Sequence, residues 1–542
     1  MKRILLILAV SGAFFSQIAQ AQNNYIPGQY VVKWRKGYLK TFSHFEKNQL
    51  GVIKNLDEQE NYSLVYRPAP ELVSHSLKSL AALSAVELVE PNYIYKINKF
   101  PNDAQFSNSW GLINSGQADS KGNKGQAGID INIQNVWDKV TETDILVAVI
   151  DTGVDYRHPE LKDNIFVNQK EETGVKGVDD DGNGYIDDVY GMDFTDMKNP
   201  KANALDDHGH GSHCSGIIGA KGDNLVGTTG VNWNIKILPV RFLDAEGSGS
   251  LAGAVAAIDY AVKMGAKVLS NSWGGTTNSA ILQEMVESTA NKGVLFVVAA
   301  GNETADLNKS KVYPASYQTP NMISVAAITN KGKLASFSNY GSQTVDLAAP
   351  GENIYSTLLN GKYDSWSGTS MATPFVSGIA ALIWGQNPGL TNLELKNRIM
   401  TTVKLLPTLR TKVISKGMVD AQAAFENIPS QIDSNDPSGW AQEEYRLSSD
   451  HPYSKKSKWE KEIQLASEVT QFALYFEKFD TEVKYDKLSI YDSAGHLVQV
   501  IDGNFEKDYS GVVTGNYAKL VFESDDSVEK YGFDITAVAV KK

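Results

Sequence analysis

The sequence predicts an α/β protein: an open parallel sheet with helices on both faces, preceded by a small α+β unit and followed by a β-sandwich. Three observations predict it. Short continuous apolar runs recur through the middle of the chain: ILVAVI (145–150), KILPVRF (236–242), AKVLSNS (266–272), GVLFVVAA (293–300) and MISVAAI (322–328). Such runs suit parallel strands covered on both faces. Between them lie helix-period stretches such as LAGAVAAIDYAVKMG and SAILQEMVESTANKG, each stopped by glycine. In such a wound sheet the functional residues gather at the carboxyl ends of strands. Beyond residue 440 the period becomes two, in FALYFEKF, KLSIYD, AKLVFES and FDITAVAV, which predicts an antiparallel sandwich over 440–542.

The remaining segments follow in order. Lys2 and Arg3 precede an apolar run over 4–15, and Ala19-Gln20-Ala21 supplies small residues for cleavage. Residues 1–21 therefore read as a signal peptide, which predicts a mature protein outside the cytoplasm, extracellular or periplasmic. QYVVKWRKG, the helical stretch ELVSHSLKSLAALSAV and VELVEPNYIYKI predict a β–α–β-type unit over 25–98, within a segment bounded at 22–100. The α/β body occupies 101–428, and the polar stretch IPSQIDSNDPSG marks a linker at 429–439.

Composition narrows the partners. At 542 residues the chain is too long for one typical domain. A net charge of −12 argues against nucleic acid, which needs a basic face. No segment after the signal is long and apolar enough to span a bilayer. The single cysteine, Cys214, excludes an internal disulfide, so durability rests on packing and on metal ions. Residues 22–100 carry ten Lys and Arg against seven Asp and Glu, so a basic segment precedes an acidic body and would bind it with electrostatic help.

The chemistry-bearing residues sit at element ends. Asp151 closes the strand ILVAVI within AVIDTGVDYRHPEL, His210 lies in HGHGSHCSG, and Asn302 follows a strand in VVAAGNET. Ser370 stands in SGTSMATP at the head of the apolar helix PFVSGIAALIW. Alone, each is a turn or cap residue. Together they supply what a serine nucleophile requires: a base, an orienting acid and a polar amide. In DDDGNGYIDDVY (179–190), Asp179, Asp181, Asn183, the Tyr185 carbonyl and Asp187 fit positions 1, 3, 5, 7 and 9 of a calcium loop, with Gly184 at the turn. Position 12 is Tyr190 rather than Glu, so the loop is not a complete EF-hand.

Three blocks, DTGVDYRHPEL, GHGSHCSG and GTSMATP, make residues 144–428 resemble the subtilisin-type (S8) serine peptidases, whose catalytic residues run Asp, His, Ser along the chain. The resemblance implies a secreted, self-processing serine endopeptidase. Its H-G-T-H-x-x-G motif falls on residues 210–216, so His210 is the implied base, Asp151 its orienting acid and Ser370 the nucleophile. His213 becomes a structural neighbour and His208 an exposed loop residue. The Asn302 amide and the Ser370 N–H are the implied oxyanion donors. Gly247-Ser248-Gly249 and Ser272-Trp273-Gly274 are the implied edge strands for an extended protein or peptide substrate. They carry no acidic side chain, which predicts neutral, apolar or aromatic residues before the cut. Cys214, four residues after His210, is an alternative nucleophile in principle but reads as packing.

Residues 25–98 resemble the family's inhibitor-like propeptide, which implies an intramolecular inhibitor cut off near 98–105. The tail resembles a CUB-like sandwich. That likeness implies a second calcium site at Glu482, Asp486 and Asp525, and a protein or glycan ligand. The alternative functions are a narrow-specificity maturation protease, or a secreted binding protein whose tail is the active part.

Overall fold

The computed structural model describes residues 25–36, 52–57, 61–67, 78–94, 99–431 and 436–542. The signal-peptide segment, part of the propeptide-like segment and the centre of the linker (432–435) lie outside the described residues. The chain forms two compact units, 1–98 and 99–542.

In the first unit, Tyr30, Val32 and Trp34 alternate inward along the strand Tyr25–Trp34, as the two-residue period of a half-buried strand dictates. They pack with Val65, Leu80 and Val86. The strand order is Val52–Asp57, Tyr62–Tyr66, Tyr25–Trp34, Val86–Tyr93, and every pairing is antiparallel. The expected β–α–β connection is thus one part of a four-stranded antiparallel sheet. Its extra pair comes from VIKNLD and YSLVY, polar-mixed runs whose strand signal is weak.

The body of the second unit is a sheet of nine strands among the described residues. In order these are Lys404–Leu405, Gly417–Met418, Leu347–Pro350, Met322–Ile328, Leu295–Ala299, Val268–Asn271, Glu142–Asp151, Asn234–Arg241 and Met192–Asp193. All neighbours are parallel except the first two. Every predicted apolar run is one of these strands, buried on both faces. Val147 and Val149 join one core with the helices His210–Gly219 and Thr369–Gln386. Ala148 and Ile150 join the opposite core with Leu251–Lys263 and Ala280–Asn291. Those last two helices begin at Ser250 and Ser279, whose hydroxyls accept the Gly253 and Leu282 amides.

The winding direction reverses at Glu142–Asp151. The strands Asn234–Arg241 and Met192–Asp193 lie on one side of it, and Val268–Asn271, Leu295–Ala299 and Met322–Ile328 lie on the other. Its carboxyl end is therefore the switch point of an open α/β sheet, where ligands bind.

From Ala441 the chain builds two antiparallel sheets. One orders Ala441–Ser448, Gly532–Lys541, Gln471–Asp480 and Asn504–Tyr509, with Val513–Thr514 beside Gln471–Asp480; the other orders Lys458–Gln464, Tyr517–Glu523, Lys487–Tyr491 and Leu497–Ile501. Phe472, Phe476, Phe479, Phe522 and Phe533 fill the space between, making the predicted sandwich. The guanidinium of Arg410 fastens it to the body, bonding Asp436 and Asp508 at 2.7 Å each and lying over the Tyr509 ring.

Candidate active site

Asp151 ends the central strand and is fully buried. Its Oδ1 accepts the Thr152 amide at 2.7 Å and lies 2.7 Å from His210 Nδ1. His210 opens its helix after Gly209, whose φ of 104° is left-handed backbone that a side chain resists. Burial pushes the His210 ring down. The Asp151 charge, its hydrogen bond and the Asp206 charge outweigh burial and hold it above the ordinary value.

Ser370 is the second residue of Thr369–Gln386. Its hydroxyl donates to the Ser272 carbonyl at 3.1 Å, and its own carbonyl accepts the Ser272 hydroxyl at 3.0 Å. Asn302 follows the strand Leu295–Ala299 and is exposed. Its side-chain oxygen accepts from the Thr369 amide (2.9 Å) and hydroxyl (3.1 Å), which turns its NH2 group away from the helix. A Cβ placed on Gly368 would lie 3.5 Å from the Ser370 nitrogen and 3.6 Å from Asn302 Nδ2. The two amides thus border one small space.

The sequence reading missed three neighbours of this set. The Trp366 indole stacks on His213, with centroids 5.1 Å and planes 7° apart, and also borders His210 and His208. Thr152 Oγ1 accepts the Gly211 amide. Asp206 accepts five hydrogen bonds around the start of the His210 helix. Thr152 lies inside the DTGVDYRHPEL block without a catalytic residue type to mark it, and Asp206 and Trp366 lie outside the three blocks, so only proximity reveals their roles. His213 is buried, and burial drops its ring to about 3, so it stays neutral. His208 is exposed. Cys214 is buried, its thiol is pushed well above the ordinary range by burial, and Sγ donates to the Ser370 carbonyl at 3.4 Å. A thiol so held is packing rather than a nucleophile.

A cleft of about 530 Å³ runs from His210 and Thr152 between Gly247-Ser248-Gly249 and Ser272-Trp273-Gly274. Phe242, Leu243, Leu251, Leu282 and Tyr313 form apolar walls, and no Asp, Glu, Lys or Arg among the described residues lines it.

The acidic loop regroups the predicted calcium ligands. Carboxylate oxygens of Glu171, Asp181 and Asp188 lie within 4.8 Å of one another, and the Asn183 amide donates to Asp181 and Asp188. Asp179 instead accepts the Gly182, Asn183 and Gly184 amides, and Asp187 accepts the Gly177 amide. The Tyr185 ring packs on Phe194 and Tyr260. In the sandwich, Glu482, Asp486 and Asp525 also lie within 4.8 Å of one another. There the Tyr453 hydroxyl donates to the buried Asp486 at 2.5 Å.

An acid–histidine pair, a helix-start serine and a polar amide thus stand at element ends of one wound α/β sheet. Residues 142–431 match the Peptidase_S8 profile of the subtilase family, and the chain belongs to that family. It is 38% identical over 298 residues to Subtilisin-like protease 1 of Plasmodium berghei (strain Anka), covering 52% of this chain and 49% of that protein. It is 36% identical over 332 residues to the thermophilic serine proteinase of Bacillus sp. (strain AK1), covering 60% and 69%. It is 38% identical over 264 residues to thermitase of Thermoactinomyces vulgaris, covering 49% and 83%. The chain spans about half the length of the Plasmodium relatives it matches.

Proposed function

We propose that this chain is an exported, self-processing serine endopeptidase that hydrolyses peptide bonds through an acyl-enzyme on Ser370. The observation that carries the reading is the 2.7 Å Asp151–His210 pair set beside a helix-start serine whose amide and the Asn302 amide border one space.

The Ser370 hydroxyl turns from the Ser272 carbonyl to His210 Nε2. Its oxygen bonds to the scissile carbonyl carbon while its proton passes to Nε2, and Asp151 holds Nδ1–H and stabilises the imidazolium. Negative charge developing on the carbonyl oxygen meets the Asn302 NH2 and the Ser370 N–H at the positive end of an 18-residue helix. The carbon–nitrogen bond then breaks as His210 returns the proton to the leaving amine. Water, deprotonated by His210, releases the acyl group by the same steps. The extended substrate lies in the cleft by β-augmentation. The uncharged, largely apolar lining favours neutral, apolar or aromatic residues before the cut, and residues 25–98 serve as the intramolecular inhibitor.

Intact mass and N-terminal sequencing with a fluorophosphonate probe test this reading. The expected chain starts near 98–105 and carries one adduct on Ser370. Ser370→Ala should remain uncut after signal removal and unlabelled. A natural chain that keeps its N-terminal unit and takes no label in calcium overturns the assignment. Proteome-wide cleavage profiling separates a broad peptidase from a narrow maturation enzyme.

Calcium fits two places by donor chemistry. Glu171, Asp181 and Asp188 converge with no Lys or Arg in ion-pair reach among the described residues, and burial drives the Asp188 carboxyl above its usual range. Like charges so confined fit a hard divalent cation. Such an ion would brace the loop under the sheet edge and take no part in the proton transfers. Glu482, Asp486 and Asp525 form a similar all-oxygen set, which favours a calcium-braced CUB-like module with a protein or glycan ligand.

A further inference from the structure

Asp206 is buried, yet it has no Lys or Arg partner within ion-pair distance among the described residues; Arg241 pairs instead with Asp193 and Asp207 and bonds the Leu205 carbonyl. A buried charge without a counter-ion must be held by hydrogen bonds. Asp206 Oδ1 accepts the Thr152 hydroxyl (2.9 Å) and the amides of His208 (3.0 Å) and Gly209 (2.9 Å). Oδ2 accepts both the amide (2.9 Å) and the hydroxyl (2.7 Å) of Ser212.

The partners belong to two different segments. Thr152 immediately follows Asp151 and also accepts the Gly211 amide at 2.9 Å. Ser212 lies in the first turn of the His210 helix and accepts the Asp155 amide at 2.8 Å. Asp206, Thr152 and Ser212 therefore close a ring of hydrogen bonds linking the 151–155 turn to the start of the helix.

We propose that Asp206 is a positioning residue of the catalytic centre: its carboxylate fixes the helix bearing His210 to the turn bearing Asp151 and so keeps the imidazole on the Asp151 carboxylate. It also occupies the positive end of that helix without touching the reacting atoms. The ionisable groups facing His210 are Asp151, Asp206, His208, His213 and Cys214. Of the two carboxylates, Asp151 bonds the ring, whereas Asp206 acts on it through space and through the helix. A one-ångström displacement of a catalytic group can cost about 100-fold in rate, so this ring is worth more to turnover than to substrate affinity.

The inference rests on the serine-peptidase reading, and the wild-type chain in the same experiment tests that reading separately. The full chain and its Asp206→Asn variant are compared by fluorophosphonate active-site titration, kcat and KM on a neutral peptide, and the pH profile of kcat/KM. Asn keeps an oxygen for Thr152, His208 and Gly209 but cannot accept from the Ser212 amide. The expected result is a kcat lower by about 10–100-fold, a KM within about two-fold, and an acid limb moved to lower pH through loss of the Asp206 charge. If Asp206→Asn does not fold, Ser212→Ala decides, with a several-fold smaller kcat at unchanged KM expected. A folded variant of either kind with wild-type kcat and pH profile, differing only in melting temperature, overturns the proposal. If wild type itself neither labels nor cleaves, the underlying function is what fails.

Discussion

The His213 ring lies parallel to the Trp366 indole, 5.1 Å between centroids, while the His210 ring borders the same indole at 6.2 Å and 34°. Two histidines three residues apart are thereby held in opposite electrical conditions. His213 has burial and no carboxylate, and is dropped to about 3. His210 has Asp151, and is held above its ordinary value despite burial. Between pH 4 and 9 one of the two can change charge. The acid limb of kcat/KM should follow a single protonation, centred above the ordinary histidine value of about 6.5. The sign follows from chemistry: protonated His210 cannot accept the Ser370 proton, so activity falls as pH drops through its raised pKa. Asp151→Asn should move that limb down and lower kcat by about 10⁴, the loss typical when the acid of such a triad is neutralised. His213→Gln should leave the limb in place. Two protonations on that limb would contradict the division.

Gly368 gives a sharper test of the oxyanion space. Its φ of 166° is extended backbone that alanine adopts freely, so Gly368→Ala should fold with little change in melting temperature. The new methyl would enter between the Ser370 and Asn302 amides, 3.5–3.6 Å from each. Asn302→Ala should lower kcat by about 10²–10³ with KM little changed, as for the corresponding amide of subtilisin. Gly368→Ala should lower kcat by at least about ten-fold for the same reason, and the two changes together should cost less than the product of their separate effects. Fully multiplicative losses would place the two residues at different functions.

How much of this was legible in the sequence depends on how local each feature is. Asp151, His210, Asn302 and Ser370 lie at element ends in short chain-continuous motifs, so the sequence carries them together with the strands that position them. Asp206 and Trp366 act across segments: Trp366 meets His213 from 153 positions further along the chain, and no periodicity encodes that meeting. In the acidic loop, the spacing and the spatial grouping pick out different residues. Asp179 has the spacing of a first ligand, and its carboxylate accepts three loop amides. Asp187 adopts a left-handed φ of 54° and faces Gly177. Glu171 enters from the preceding helix Gln169–Thr173, outside any loop motif. The tail acids are read from the resemblance to a CUB-like sandwich; Glu482 and Asp486 flank one short turn, and Asp525 follows the strand Tyr517–Glu523.

The acidic loop yields a stability test. Calcium at a hundred-fold excess over Kd should raise stability by about 2.7 kcal/mol, a rise of roughly 4 °C in melting temperature for a domain of this size. A chelator should reverse it. Asp188→Asn should remove most of the increment assigned to this loop, because its buried carboxylate faces Asp181 and Glu171. Asp179→Asn should keep that increment, because Asp179 serves the turn. Calorimetry with and without calcium distinguishes them, and equal effects of the two substitutions would favour the loop-spacing assignment.

Arg410 decides whether the sandwich is an independent arm or part of the enzyme body. Its guanidinium is 11% exposed and bonds one carboxylate within the linker, Asp436, and one in the sandwich, Asp508. Tyr509 covers its face. Removing one partner of such a buried set leaves the other charges uncompensated and typically costs 3–5 kcal/mol when burial is complete; with Asp508 27% exposed, about 1–3 kcal/mol is the expected range. That loss falls on the junction rather than on either core. Arg410→Ala should therefore split a single thermal transition into two, with the earlier one belonging to the sandwich or its docking. The rate per titrated active site should stay near wild type, since Arg410 lies outside the cleft between Gly247 and Gly274. A single unshifted transition would mean that the sandwich is held by its apolar contacts alone, and that the ion pairs set only its orientation.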